Sequence, residues 1–133
     1  MKPFERLTAI IIGHQNVAYK LGASDCTTFA AAAFEAWTGR PFPVQPMVGK
    51  YKDAKGAARM LAKMKAADVG EVVARHLEEI PPAFATTGDL ITHRDASGQI
   101  ALGVCVGELF AARGEFGLVH VHMTRALRAF RSV

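Results

Sequence analysis

Cysteine is scarce in this sequence: Cys26 and Cys105 are the two in 133 residues, and neither belongs to a CxxC or to a Cys/His ligand spacing. That scarcity excludes a disulfide-stapled scaffold, a zinc ribbon and an iron–sulfur site, and both thiols are expected to be free in a reducing cytosol. Long apolar runs are also missing, since no stretch approaches the ~18 residues of a membrane span. The short run Leu7 to Ile12 is interrupted by Thr8 and followed by His14-Gln15-Asn16 without a small-residue cleavage site. No signal peptide is therefore expected, and the mature chain is expected to begin at Met1. Nor is charge concentrated: 16 Lys plus Arg stand against 12 Asp plus Glu, a net +4 spread along the chain, which points to an acidic partner only weakly.

What the sequence does contain is an ordinary globular balance, 50% apolar and 21% charged, enough to bury a core in one domain spanning residues 1–133. Phe4, Leu7, Ile10 and Ile11 recur at helical spacing and predict a first amphipathic helix from Phe4 to about Gln15. Gly22-Ala23-Ser24-Asp25 supplies turn and N-cap chemistry for an alanine-rich second helix beginning near Cys26, with Phe29, Ala33, Phe34 and Trp37 on its buried face and Gly39 at its C-cap. Pro41, Pro43 and Pro46 predict an extended loop from Arg40 to Met47. Two short helices follow, Lys52 to Lys65 and Asp68 to Glu79.

Beyond Pro81-Pro82 the apolar period changes from near 3.6 to 2. Strands are predicted over Asp89–His93, Gln99–Gly107, Leu109–Arg113 and Leu118–Met123, with hairpin turns at Arg94–Gly98 and Gly114–Gly117. Thr124 to Arg131 reads equally as a last helical turn or a strand. Helices followed by an antiparallel meander make the fold class α+β.

Cys26, at the first turn of a buried helix, lies where unpaired backbone N–H groups and the helix dipole favour an anion, an arrangement that lowers a thiol pKa and prepares a nucleophile. The competing reading is a small buried hydrophobe at a helix start. Asp25 reads as the helix N-cap and Asp89 as a backbone anchor at a strand start, while Trp37 and Phe34 read as core.

Three segments together, Leu21-Gly22-Ala23-Ser24-Asp25-Cys26-Thr27-Thr28-Phe29-Ala30, Gly88-Asp89-Leu90-Ile91 and Ala101-Leu102-Gly103-Val104-Cys105-Val106-Gly107, resemble the NlpC-type cell-wall cysteine peptidases, most of all their small phage-tail branch. The resemblance runs from about Phe4 to Ser132. It implies a papain-like fold, with the Cys-bearing helix packed on the sheet and Cys26 at the nucleophile position. It further implies a protein that either cuts peptide bonds in peptidoglycan or sits at the tip of a phage tail. Active members of that family begin the strand after Gly-Asp-Leu with a histidine, and this chain has Ala101 there. An alanine takes no proton, and loss of a general base costs at least ~10²-fold in rate. Strand alternation sets Ala101, Gly103, Cys105 and Gly107 on one face, which is expected to receive the Cys26 helix and to turn Ala101 toward the thiol.

His120 and His122 share a face of the predicted strand Leu118–Met123. They read either as a displaced base or as solvated residues opposite Val119, Val121 and Met123. As a His-x-His metal pair they lack a third ligand, so no metal and no other cofactor is expected. His93 reads as solvated beside a turn. Lys52, Lys55, Arg59 and Lys63 form a helix stripe without interleaved aromatics, which disfavours nucleic acid and fits docking on an acidic face of a larger assembly. Two functions are compatible with these residues. One is a structural component of a phage, prophage or gene-transfer particle tail tip or baseplate, made in the host cytoplasm and carried in the virion beside hub, distal tail or fibre proteins. The other is an active cysteine peptidase hydrolysing the peptide stems of peptidoglycan during phage entry.

Overall fold

The computed structural model describes residues 1–44 and 51–133. Among the described residues, four α-helices precede a six-stranded sheet: α1 (Pro3–His14), α2 (Cys26–Thr38), α3 (Ala54–Lys63) and α4 (Val69–Ala74), then β1 (Glu79–Ile80), β2 (Leu90–Arg94), β3 (Ile100–Val106), β4 (Leu109–Arg113), β5 (Leu118–His122) and β6 (Arg128–Phe130). Local chemistry sets the helix ends. Asp25, Asp53 and Asp68 each accept a backbone N–H at the N-termini of α2, α3 and α4, and Gly39 closes α2 in the left-handed region at φ +71°. α1 lies against α2 through buried Leu7, and the Arg6 guanidinium donates to the Ala36 carbonyl at 2.6 Å. Residues 45–47 of the expected proline loop lie outside the described residues.

The sheet is antiparallel throughout, in the order β1-β6-β2-β3-β4-β5. The predicted meander is therefore present as β2 to β5, and the α+β class holds. The sequence pattern did not reveal the closure of the other edge. After a single 3₁₀ turn at Met123–Arg125 the chain returns as β6, outside β2, and takes Glu79–Ile80 as a further partner. Glu79, read from sequence as a helix end, belongs to β1, where it forms an ion pair with Arg128 at 2.6 Å. Two- and three-residue strands carry too few alternations to register as a period of 2.

The principal core joins Phe29, Ala30, Ala33 and Phe34 of α2 to Leu90, Leu102, Val104, Ala111 and Phe130 of the sheet. A second cluster, Ile80, Ile91, Cys105, Phe110, Ala112 and Ala129, fills the opposite face. This reverses the expected orientation of β3: α2 rests on the Ile100, Leu102, Val104 and Val106 side, and the small residues face away from it. The reason is visible at Gly103, where a Cβ would stand 2.9 Å from the Ala111 carbonyl oxygen, 3.0 Å from Ile91 Cδ1 and 3.2 Å from Phe110 Cδ1. Smallness there makes room for the second cluster.

Gly88 lets the chain pass closely over the Trp37 ring. Its φ is +97°, and a Cβ would fall 2.4 Å from the Trp37 ring. The adjoining Asp89 carboxylate accepts from Thr86 N–H at 2.9 Å and from Ser132 N–H at 3.1 Å, so the residue is the backbone anchor the sequence implied. Gly88→Ala should destabilise the fold by about 2–4 kcal/mol in urea denaturation, combining left-handed strain with overpacking. Gly98→Ala, at φ +84° with nothing within 4 Å, should cost only the backbone share, about 1–2 kcal/mol.

Candidate functional site

Cys26 opens α2, and the turn before it is held by a saturated carboxylate. Asp25 Oδ1 accepts from Thr28 N–H and the Thr27 hydroxyl, both at 3.0 Å, while Oδ2 accepts from Gly22 N–H at 2.8 Å. Burial alone would raise the Asp25 pKa, but the Thr28 and Gly22 N–H groups and the Tyr51 and Thr27 hydroxyls outweigh it and hold the carboxyl below its ordinary value. Gly22 is required in this turn: at φ +81°, a Cβ would stand 1.9 Å from the Tyr51 carbonyl oxygen.

Above this turn lies a cleft of about 630 Å³. The first turn of α2 contributes Asp25, Cys26 and Thr27, and the start of β3 contributes Ile100 and Ala101. Ala54, Ala57, Ala58 and Leu61 of α3 form an apolar wall, and the β2–β3 turn supplies Arg94, Asp95 and Gln99 at the mouth. Tyr19, Tyr51, Arg113 and a third carboxylate, Asp68, also line it. Although its side chain belongs to neither core cluster, Ala101 reaches this cleft at the open end of β3, so Cys26 and Ala101 share one cavity. No histidine is among the lining residues described.

The surroundings of the thiol favour its neutral form. Burial pushes Cys26 up to about 11; the Leu102 backbone N–H opposes this, and the Asp25 and Asp95 charges add to it. The shift runs opposite to the one a helix N-terminus alone would give, because desolvation and two nearby carboxylates outweigh the partial positive charge of the helix start. The same surroundings, burial first and then the Cys26, Asp25 and Asp95 charges, hold the Tyr19 phenol near 12, so it remains a neutral hydroxyl at physiological pH.

The structure does not bring the other candidate residues to this thiol. His120 and His122 are exposed on β5, at the far edge of the sheet, and neither lines the cleft. The His122 ring accepts from Thr124 N–H at 3.2 Å, and His120 stands opposite Ala111. On the opposite side of β5, Val121 and the following Met123 pack against the second cluster, whereas Val119 is 43% exposed. Cys105 is buried in the second cluster, and both cysteines are free. His93 corrects another expectation: it is 7% exposed, tilted on Phe110 at 4.9 Å, and its Nε2 has no partner among the described residues. The strand register explains this, since His93 stands opposite Ala101, whose methyl leaves room above it. His14 packs edge-on against Phe29 and bonds the Ile10 carbonyl. Among the described residues no group of three or more His, Cys, Asp or Glu is placed to hold a metal ion, and no helix is long and apolar enough to cross a membrane.

Sequence reasoning missed Arg113, Asp95, Tyr19 and Tyr51. Arg113 ends β4 and is buried at 7% exposure, its two terminal nitrogens donating to the His14 and Val17 carbonyls. An arginine at a strand end before Gly114 carries no signal of burial, because the α1–α2 loop that covers it is remote in sequence.

Comparison with protein families gives a match to the family described as Domain of unknown function (DUF6950) over residues 3–132. No curated protein matches the chain.

Alkylation of Cys26 by iodoacetamide should rise steadily between pH 6 and 9 without a plateau, as expected for a thiol titrating near 11. A plateau below pH 8 would contradict this placement. Burial lowers the pKa of His93 in the folded state, so the unfolded ring, near 6.5, takes up its proton first. Stability should then fall as pH drops through about 6.5 toward the folded pKa. His93→Phe should flatten this part of the profile in urea titrations between pH 7.5 and 5.

Proposed function

For this chain, which belongs to the family described as Domain of unknown function (DUF6950), we propose a non-catalytic, structural role at a phage tail tip or baseplate, on a degenerate NlpC-type, papain-like fold. The observation that carries the reading is the cleft: Cys26 stands at the mouth of the inner helix, Ala101 occupies the position where active NlpC-type peptidases hold a histidine, and no described histidine lines the cavity. A cysteine hydrolase needs a thiolate at neutral pH and a base within hydrogen-bond reach of it. Here the thiol is held protonated by burial and by Asp25 and Asp95. The helix order, the Asp25 cap, the Gly88-Asp89 anchor and the antiparallel sheet are all compatible with the resemblance.

An assembly role is supported by what the surface exposes. β5 forms one edge of the sheet and carries no lysine, proline or acidic residue to discourage pairing, whereas the two-residue β1 at the other edge is followed directly by Pro81-Pro82. Phe116, 81% exposed, precedes β5, and Phe4 and Ile12 are exposed on α1. Lys52, Lys55, Arg59 and Lys63 stand exposed on or beside α3 and would suit an acidic face of a neighbouring hub, distal tail or fibre protein. Particles then contain the protein in the tail, and its partners are other tail proteins.

Purified protein should leave peptidoglycan stem peptides uncut in a mass-spectrometric assay. Particles carrying Cys26→Ser should assemble with the protein present in the tail and with unchanged infectivity. Stem cleavage that disappears in Cys26→Ser would overturn the non-catalytic reading in favour of an entry peptidase, and absence of the protein from purified tails would overturn the structural one.

A further inference from the structure

At β5 the sheet has an open edge of short, defined length. Gly114 N–H donates to the Gly117 carbonyl at 2.6 Å and Met123 N–H to the Glu108 carbonyl at 2.9 Å. By antiparallel alternation the main-chain groups of Val119 and Val121 therefore face β4, and those of Leu118, His120 and His122 point away from the sheet. The Leu118 N–H is taken by the Gln15 carbonyl at 3.0 Å, which leaves the N–H and C=O groups of His120 and His122 as the free edge. A strand laid antiparallel on this edge must turn away where it meets Gln15, and β5 itself turns away after His122, into the 3₁₀ turn Met123–Arg125. The two ends of β5 also match in shape. Phe116, in the turn before the strand, is 81% exposed, and a second cavity, of about 390 Å³, opens beside the strand's end, lined by Pro82, Ala85, Met123 and Ala126 together with Glu108 and His122. Charge agrees with shape. β5 carries no Lys, Arg, Asp or Glu, Glu115 precedes it and Arg125 follows it, and neither of these two is in an ion pair among the described residues.

We propose that this edge pairs with the same edge of a second copy of the chain, the two β5 strands running antiparallel about a two-fold axis at Val121. In this register His120 of one protomer and His122 of its partner exchange N–H···O=C bonds on each side of the axis, and Val121 faces its own counterpart in the close pair between them. Antiparallel pairing sets the start of each β5 against the end of the other. Phe116 comes level with the partner's Ala126, at the mouth of the partner's cavity, and Glu115 lies at the end of the interface that carries the partner's Arg125. The Gln15 block falls where the partner chain has already left the strand. Two phenylalanines of about 150–250 Å² each and four main-chain bonds make a contact at the small end of specific interfaces, so association in the micromolar range is expected. The pairing names a first partner for the assembly role and rests on that role for its place in a tail.

In sedimentation velocity between about 5 and about 500 µM, the full chain should move from 14.3 kDa toward twice that mass. His120→Pro removes an outward N–H and leaves the ladder to β4 in place, and should weaken association at least about tenfold. Phe116→Ala, at an exposed position, should also weaken it about tenfold or more. Ala83→Trp, which fills the cavity from an exposed lining position, should have a similar effect, and the two together should cost little more than either alone, because both remove the same contact. Val121→Cys should form a disulfide-linked dimer under mild oxidation, its sulfurs meeting in the close pair. Val119→Cys, whose counterpart lies about 13 Å further along the strand, should not. A mass fixed at 14.3 kDa with no cross-link at Val121→Cys, a cross-link at Val119→Cys in its place, or a dimer unaffected by both His120→Pro and Phe116→Ala would each overturn the proposal. A Val121→Cys cross-link made only to a different tail protein in assembled particles would overturn the second copy in favour of a foreign strand on the same edge. A dimer formed by a protein absent from purified tails would overturn the tail reading and leave the pairing intact.

Discussion

The seating of α2 on the middle strands of the sheet is the contact on which the rest depends. Phe29, Ala30, Ala33 and Phe34 press against Leu90, Leu102 and Val104 in one buried cluster, and full burial of each large side chain is worth about 1.5–3 kcal/mol. Alanine at positions 30 and 33 lets the helix axis approach the sheet closely, and the two phenylalanines fill the space on either side. Because the helix begins at Cys26, this packing also fixes where the thiol lies, above the start of β3 and beneath the wall formed by α3. A shift of the helix by one turn, about 5.4 Å, would carry Cys26 away from the Ala101–Leu102 backbone and remake the cleft.

Electrostatics around the helix start illustrates how competing small effects resolve. A helix N-terminus contributes roughly half a positive charge, which favours a thiolate. Here Asp25 already occupies that positive end as its cap, so the field that would lower a cysteine pKa is spent on the neighbouring carboxylate. Burial then raises the thiol, and Asp95 from the β2–β3 turn adds to it. The result is a neutral sulfhydryl in a polar-rimmed cavity. The same cavity is lined by Arg113, which donates to the His14 and Val17 carbonyls and lies within the field of Asp25.

Much of this architecture was legible in the sequence because it depends on local rules. The period of 3.6 in the first half and of 2 in the second, the Asp25 cap, the Gly39 stop and the hairpin turns at Gly98 and Gly117 are each set by residues a few positions apart. Where the reading went astray, the deciding partner was distant. Ala101, Gly103 and Cys105 looked like a smooth seat for a helix, and the smallness of Gly103 is instead required by Ile91 and Phe110 on the opposite face. His93 looked solvated beside its turn, and strand pairing with Ala101 and the ring of Phe110 bury it.

The sequence by itself determined the fold class, the start of the inner helix and the absence of a metal-ligand spacing, because each is written in residue type and short-range order. Tertiary structure alone decided which face of β3 meets the helix, that His120 and His122 stand at an outer edge and outside the cleft lining, and that Arg113 is buried beneath the α1–α2 loop. These are outcomes of strand register and of loops folding over remote positions, where the free energy depends on which surfaces meet and not on which residues are neighbours in the chain.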